Sequence, residues 1–418
     1  MPEFGTMGVD WEERIDFDRL RRERLQKARD AMAAAGADVL LVFRQEDVRY
    51  LTGHRSHMAP VIPHKGPVVV LPKDGDPLLF TPDFVHARMR HTWLKPENVQ
   101  GGANNRYEST FLKWAEEIRG KLGSLLEGRV GIDLWTPPMV KWMPQAFPKA
   151  EFVDGKEILY QAQMVKTIDE IECQRTVTAI TEAGFQALLD SLKPGVRECE
   201  LLAVAWQKFT ELGSEWTQCS NIVTSGPSTA PYRRFTSDRI IREGDLVIVD
   251  IGACFNGYWG DFTRTFVCGN IMPTKEQIAL CQECYDTLFN ACAQARIGKT
   301  NVDVAKVLND PETNPNSQGL SSGHGAGISP WEPPYFDIRS ILPLPPDSEA
   351  IVPFQKNMYF SIEPYAGQEG IGGFRLENQM LVTDGDPEII TTFPFDERLL
   401  KKVHPLDKTT GRVFRPGR

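Results

Sequence analysis

A chain of 418 residues carrying a net charge of −9 is long enough for two domains with substantial cores. Its acidity argues against a nucleic-acid or anionic-membrane partner, and with 25% charged and 41% hydrophobic residues its composition is that of an ordinary globular protein. No apolar stretch approaches a membrane span, and the acidic amino terminus lacks the apolar core of a signal peptide, so a cytoplasmic protein is expected.

Met1–Thr6, ahead of Met7, reads as a cloning remnant and is set aside. From about residue 17 to 160, helical and strand patterns alternate. An amphipathic, charged helix is expected over Asp18–Ala35, with short buried strands at Val39–Phe43 and Pro67–Leu71. His54, His57 and His64 cluster in a Pro-containing loop directly after Val48–Gly53. Thr167 with Glu170 three residues on is a capping box that opens a long helix through about Leu192, ended by Pro194-Gly195. The domain junction falls just before that helix, which divides the chain into domains 7–162 and 163–403 and a tail, 404–418. A second helix is expected at Glu198–Leu212 and a third after the Thr274–Gln277 capping box. All eight cysteines lie between Cys173 and Cys292. Cys281 and Cys284 fall inside the third helix, where a lone Cys-x-x-Cys reads as packed core rather than as a zinc or redox pair. The Pro-rich stretch Ile341–Asp347 reads as a loop near the mouth of the site described next.

Five residues of the second half have the chemistry of a two-metal ligand set: Asp250, Asp261, His324, Glu363 and Glu377. Asn256-Gly257 between two apolar runs is the strongest short-range hairpin signal. With that pair as the turn, Phe255 faces Tyr258 and Gly252 faces Asp261. Asp250, two residues from Gly252, then points to the same sheet face as Asp261, roughly 7–8 Å away along the diagonal. Tyr359–Glu363 and Phe374–Val382 read as two further strands, joined by a loop carrying Gly367, Gly370, Gly372 and Gly373, so that Glu363 and Glu377 can face one another. His324, flanked by Gly323 and Gly325, adds a nitrogen donor where bulk is minimal. Four carboxylates balance two divalent cations. Hard oxygen donors with one imidazole suit Mn²⁺ first, with Fe²⁺, Co²⁺ or Zn²⁺ as alternatives.

These segments resemble those of the pita-bread metallopeptidase family, which includes prolidase, aminopeptidase P and the metal-free creatinase. Asp250–Phe266 is similar to the family's first ligand hairpin, His324–Pro334 to its histidine-glycine segment, and Ser361–Tyr365 and Arg375–Asn378 to its two glutamate segments. Val48–Gly53 resembles the start of the creatinase-type N-domain. The resemblance implies an α+β protein: a creatinase-like α/β N-terminal domain, then a pita-bread domain in which helices back a curved antiparallel sheet that carries the metals. It also implies a homodimer and a metal-dependent hydrolase of amide bonds, Xaa-Pro peptidase-like, with Glu363 as both ligand and general base.

Two positions depart from the peptidase pattern. The second histidine expected seven residues after His324 is Trp331, and the histidine expected before the first hairpin falls on Arg233, beside Tyr232 and Arg234. An arginine cannot act as a general acid or base at neutral pH, but it can hold a carboxylate or an oxyanion. Arg233 and Tyr232 are therefore candidate contacts to a short-peptide or small-molecule substrate, a carboxylate-bearing one included, with a plain surface arginine as the alternative. Trp331 offers a face for stacking or for a cation, or else packs in the core. In two-domain relatives the N-domain approaches the partner subunit's site, so His54 or His57 could replace a missing imidazole in trans. Loss of both histidines also leaves open a non-peptidase activity on a small metabolite, by C–N hydrolysis or by elimination from a sulfonium compound, and, as a third reading, a non-catalytic binding protein.

Overall fold

The computed structural model describes residues 15–56, 66–91, 93–102, 106–215, 222–232, 235–337, 345, 348 and 350–409. The chain falls into two compact units, Met1–Gln163 and Met164–Arg418. Its architecture is α+β.

In the first unit, strands β1 (Val39–Val42), β2 (Val68–Pro72), β3 (Leu78–Thr81), β4 (Val99–Gly101), β5 (Arg129–Ile132) and β6 (Glu151–Asp154) form one sheet in the order β4-β3-β2-β1-β5-β6. Between them run α1 (Phe17–Ala35), α2 (Gln45–Thr52), the one-turn α3 (Phe84–His86), α4 (Glu108–Leu122), α5 (Pro137–Ala146) and α6 (Gly155–Gln163). Central β1 pairs antiparallel with β2 and parallel with β5. Both its faces are covered, which is why it reads as an unbroken apolar run rather than an alternating one. Helix α1 begins where the Asp16 carboxylate accepts the amides of Asp18 and Arg19, at 3.0 and 2.9 Å. Trp114 of α4 anchors the core, its ring 6.2 Å from Phe43, 5.8 Å from Phe80 and 5.5 Å from Phe111.

A buried ion pair ties α2 to α6: Lys156 Nζ donates to both oxygens of Asp47 at 2.9 Å, and Gln163 Nε2 donates to one of them at 2.7 Å. Even so, burial pushes the Asp47 carboxyl above its ordinary range. Lys156→Met should lower stability by about 3–5 kcal/mol, because it strands a buried charge. Adding Asp47→Asn should recover much of that loss in urea unfolding. A single-variant loss under about 1 kcal/mol would show that water already solvates the pair.

The second unit carries α7 (Ile168–Ser191), α8 (Glu198–Glu211), α9 (Lys275–Cys292) and α10 (Asn301–Leu308). Thr167 and Thr274 form the capping boxes that open α7 and α9. Cys281 and Cys284 are buried in α9 with burial-raised thiol pKa values, as inert core cysteines should be. Strands β7 (Ile222–Ser225), β8 (Leu246–Ile251) and β11 (Phe262–Val267) form one sheet in the order β11-β8-β7. A second sheet contains β12 (Ser322–Gly325), β13 (Glu332–Tyr335), β14 (Tyr359–Glu363), β17 (Asn378–Leu381) and β18 (Glu388–Ile389), in the order β13-β12-β14-β17-β18. Two short ribbons extend the hairpins, β9 (Cys254–Phe255) with β10 (Tyr258–Trp259) and β15 (Tyr365–Gln368) with β16 (Gly372–Arg375).

Alternation along the strands separates core from site. Val247, Val249 and Ile251 join the core built on Phe185 of α7 and Phe209 of α8, while Phe360 and Ile362 join that of Leu288 on α9. Asp250, Ser361 and Glu363, at the intervening positions, are left for the opposite faces.

Candidate metal centre

Asn256 and Gly257 take positive φ, 50° and 83°, the backbone of the tight turn that an Asn-Gly pair allows. Phe255 pairs with Tyr258 and Ile251 with Phe262. The count through Gly252 and Asp261 is therefore unbroken, and Asp250 and Asp261 share a face; both are buried. Tyr232, also buried, donates its hydroxyl to Asp250 Oδ2 at 2.9 Å. Its phenol is thus occupied by an aspartate of the cluster, rather than presented openly to a substrate.

His324 lies on β12 between β13 and β14. A Cβ at Gly323 would come within 2.5 Å of Ser361 O, and one at Gly325 within 2.2 Å of Pro333 O. Only glycine lets both neighbouring backbones close around the imidazole. His324 Nδ1 is 3.1 Å from Gly325 O; a carbonyl only accepts, so Nδ1 donates there and Nε2 is the nitrogen that faces the carboxylates. Nε2 lies 3.7 Å from Asp261 Oδ2 and 3.9 Å from Glu363 Oε1.

The glutamate hairpin differs from the expected one. Ile362 pairs with Asn378 and Tyr365 with Arg375, so Glu363 and Glu377 do stand opposite one another. However, Phe374–Val382 is not one strand. It breaks at Leu376-Glu377, where the Glu377 amide donates to Thr263 O of the other sheet at 3.0 Å. The loop is also shorter than expected, because Gly367, Gly372 and Gly373 are paired strand residues.

Each glutamate has partners that spacing does not reveal. Glu363 Oε1 accepts from Ser322 Oγ at 3.0 Å, and Glu363 Oε2 contacts the fully buried guanidinium of Arg375. Glu377 Oε2 accepts from Thr263 Oγ1 at 2.8 Å, whereas buried Glu377 Oε1 has no hydrogen-bond partner among the described residues. Burial, followed by the nearby Asp250 charge, pushes the Glu377 carboxyl up to about 8. Crowded buried carboxylates call for a counter-cation. Donor atoms of Asp261, His324 and Glu377 lie within 4.8 Å of one another, and this oxygen-and-imidazole set suits a divalent metal. Asp250 and Glu363 border the same cluster. The donors present fit the group.

Trp331 stacks on His324, with ring centroids 4.4 Å apart and planes at 19°, while 39% of its surface stays exposed. It therefore belongs neither to the core nor to open surface. The next residue, Glu332, forms a buried ion pair with Lys166 that holds this segment in place. His54 is fully buried, 3.1 Å from Thr81 Oγ1 and 3.4 Å from Asp83 Oδ1. Arg233, Arg234, His57, His64 and most of Ile341–Asp347 lie outside the described residues.

Fold and donor set together define a metalloprotein of the hydrolase class. The chain belongs to metallopeptidase family M24, whose pattern matches residues 172–384, more than half of its length. A creatinase/prolidase N-terminal domain matches residues 24–165. Among similar proteins is the Xaa-Pro dipeptidase of Pyrococcus furiosus, 24% identical over 88% of this chain and 98% of its own. An uncharacterised Bacillus subtilis peptidase, YqhT, is 24% identical over 89% and 98%. Similar solved structures include an Xaa-Pro dipeptidase from Bacillus anthracis (TM-score 0.74, 22% identity, 90% of this chain and 99% of that one). The prolidase of Pyrococcus horikoshii is another (0.73, 20%, 89% and 99%).

Proposed function

We propose that this metal-dependent hydrolase cleaves the amide bond ahead of proline in short peptides. In this reading two divalent ions, Mn²⁺ by preference, are held by Asp250, Asp261, His324, Glu363 and Glu377. The observation that carries it is the buried cluster of carboxylates around His324 Nε2, with Glu377 Oε1 left without a hydrogen-bond partner. The Xaa-Pro dipeptidase relatives, matched over nearly the whole chain, support the substrate class.

When bound, a metal pair lowers the pKa of a water towards about 7 and polarises the scissile carbonyl. Glu363 takes the proton of the attacking water and returns it to the leaving nitrogen. Ser322 and Arg375 hold the Glu363 carboxylate in place during both transfers. Tyr232 fixes Asp250, and Thr263 fixes Glu377. Arg233 binds the substrate carboxylate or the developing oxyanion. A homodimer in the cytoplasm is part of the same proposal; no described helix is long and apolar enough to cross a membrane.

Trp331, stacked on His324 where peptidases carry a histidine, favours one second reading: a non-peptidase hydrolase or lyase acting on a small metabolite. The deciding experiment loads the protein with Mn²⁺, measures bound metal, and compares Xaa-Pro dipeptides and tripeptides with N-acyl and sulfonium metabolites. Turnover of the proline peptides supports the first reading. Two bound metals with no peptide turnover transfers support to the second, and no bound metal defeats the first.

Trp331→Ala should weaken substrate or metal binding about 2- to 13-fold, the equivalent of about 0.5–1.5 kcal/mol for one aromatic pair. Trp331→Phe should keep most of the wild-type behaviour. Michaelis constants and metal titrations separate the two effects. Equal values for all three proteins would make the stack energetically idle.

A further inference from the structure

The two aspartates and the other three candidate ligands stand on different sheets. Asp250 is on β8 and Asp261 directly precedes β11, whereas His324 and Glu363 belong to the second sheet and Glu377 leads into its strand β17. Among the described residues no continuous ladder joins the sheets, so the distance between the two ligand groups depends on the seam between β11 and the β16–β17 segment. Glu377 N donates to Thr263 O across that seam at 3.0 Å, and Thr265 Oγ1 donates to Arg375 O at 2.9 Å.

Arg264 sits in the middle of it. Its side chain is fully buried and is among the largest fully buried side chains in the protein. Nε and Nη2 donate to Phe393 O at 3.1 and 2.9 Å, Nη1 donates to Thr263 O at 2.9 Å and to Glu377 O, and Nη2 donates to Asn378 Oδ1 at 3.0 Å. Every acceptor is a neutral oxygen; none is a carboxylate. The guanidinium lies 4.1 Å from the Phe395 ring centroid. Burial lowers its pKa only to about 10, so it keeps its charge at neutral pH. A buried cation with no counter-ion in contact is costly. What it provides is a planar fork whose donors reach three separate backbone segments at once, a geometry that the single ammonium of lysine cannot reproduce.

We infer that Arg264 is a positioning residue for the metal centre, clasping the strand that follows Asp261 to the segment that carries Glu377 so that ligands from two sheets meet at one site. The inference rests on the metal reading proposed above. It assigns Arg264 no contact with metal or substrate: the arginine acts through the backbone of Thr263 and Glu377. Partners that orient metal ligands typically change affinity by about 10- to 100-fold when removed.

The test measures Mn²⁺ affinity by calorimetric titration and the melting temperature of the metal-free protein. It compares wild type with Arg264→Lys, Arg264→Met, the milder Asn378→Ala, which removes one acceptor of the fork, and Val223→Ala, a core change on β7. Arg264→Lys should bind Mn²⁺ about 10- to 100-fold more weakly, and Asn378→Ala should shift affinity in the same direction by less. Val223→Ala should lower the melting temperature and leave affinity unchanged. If Arg264→Lys folds and binds Mn²⁺ like the wild type, the positioning role is wrong. If both arginine variants fail to fold, Asn378→Ala decides in the same way. Affinity that falls only in proportion to melting temperature, Val223→Ala included, reduces Arg264 to general stability. Failure of the wild type itself to bind Mn²⁺ overturns the metal reading instead.

Discussion

Glu377→Ala should yield a protein that folds, loses its metal and shows no turnover above background. Glu377 is 1% exposed, and its Oε1 has no hydrogen-bond partner among the described residues. Removing it takes a donor from the centre itself, so the loss should exceed the roughly 10- to 100-fold typical of supporting residues. Glu377→Gln separates this effect from unfolding. In the metal-free protein burial and the nearby Asp250 charge push the Glu377 carboxyl up to about 8 from the ordinary 4.5, so the folded state binds a proton more tightly than the unfolded state. That linkage costs stability progressively as pH rises from about 4.5 to about 8, and nothing below that window. The metal-free glutamine variant should accordingly melt above metal-free wild type at pH 8 and level with it near pH 4. Two bound metals and full activity in either variant would remove Glu377 from the ligand set.

Glu363→Gln should lower kcat by about 10²–10⁴-fold, the range for a lost general base. The glutamine keeps an oxygen for Ser322 but cannot take a proton, and it leaves Arg375 facing a neutral group. Because a stranded buried charge can cost about 3–5 kcal/mol, the melting temperature must be measured on the same sample. Metal content must be measured with it, since loss of metal would imitate loss of the base. A fall of only a few-fold with metals retained excludes the proton role and leaves Glu363 as a ligand alone.

The site was legible where chemistry repeats at short range. Asn256-Gly257 sets a two-residue turn, and strand alternation carries that register outward to Asp250 and Asp261. The same arithmetic places Glu363 opposite Glu377. It failed at Leu376-Glu377, where a strand pattern continues in sequence but the Glu377 amide bonds to Thr263 O on the other sheet. Arg375 stands two residues before Glu377. Its identity carries no sign that its guanidinium meets Glu363, since that contact depends on how the β15–β16 ribbon folds back. The loop position of His54 likewise carries no sign that its ring meets Thr81 and Asp83.

Local composition thus determined which residues could bind metal, which turns bring the carboxylates into pairs, where the capped helices begin, and that Cys281 and Cys284 are core. Backbone geometry has fixed periods, so these conclusions need only neighbours in the chain. Tertiary structure alone decided what the long-range partners are: Tyr232 on Asp250, Trp331 over His324, Lys166 on Glu332 and Arg264 across the seam. Those contacts join residues on different elements, and their geometry follows from how two sheets and their backing helices pack, which no spacing rule encodes.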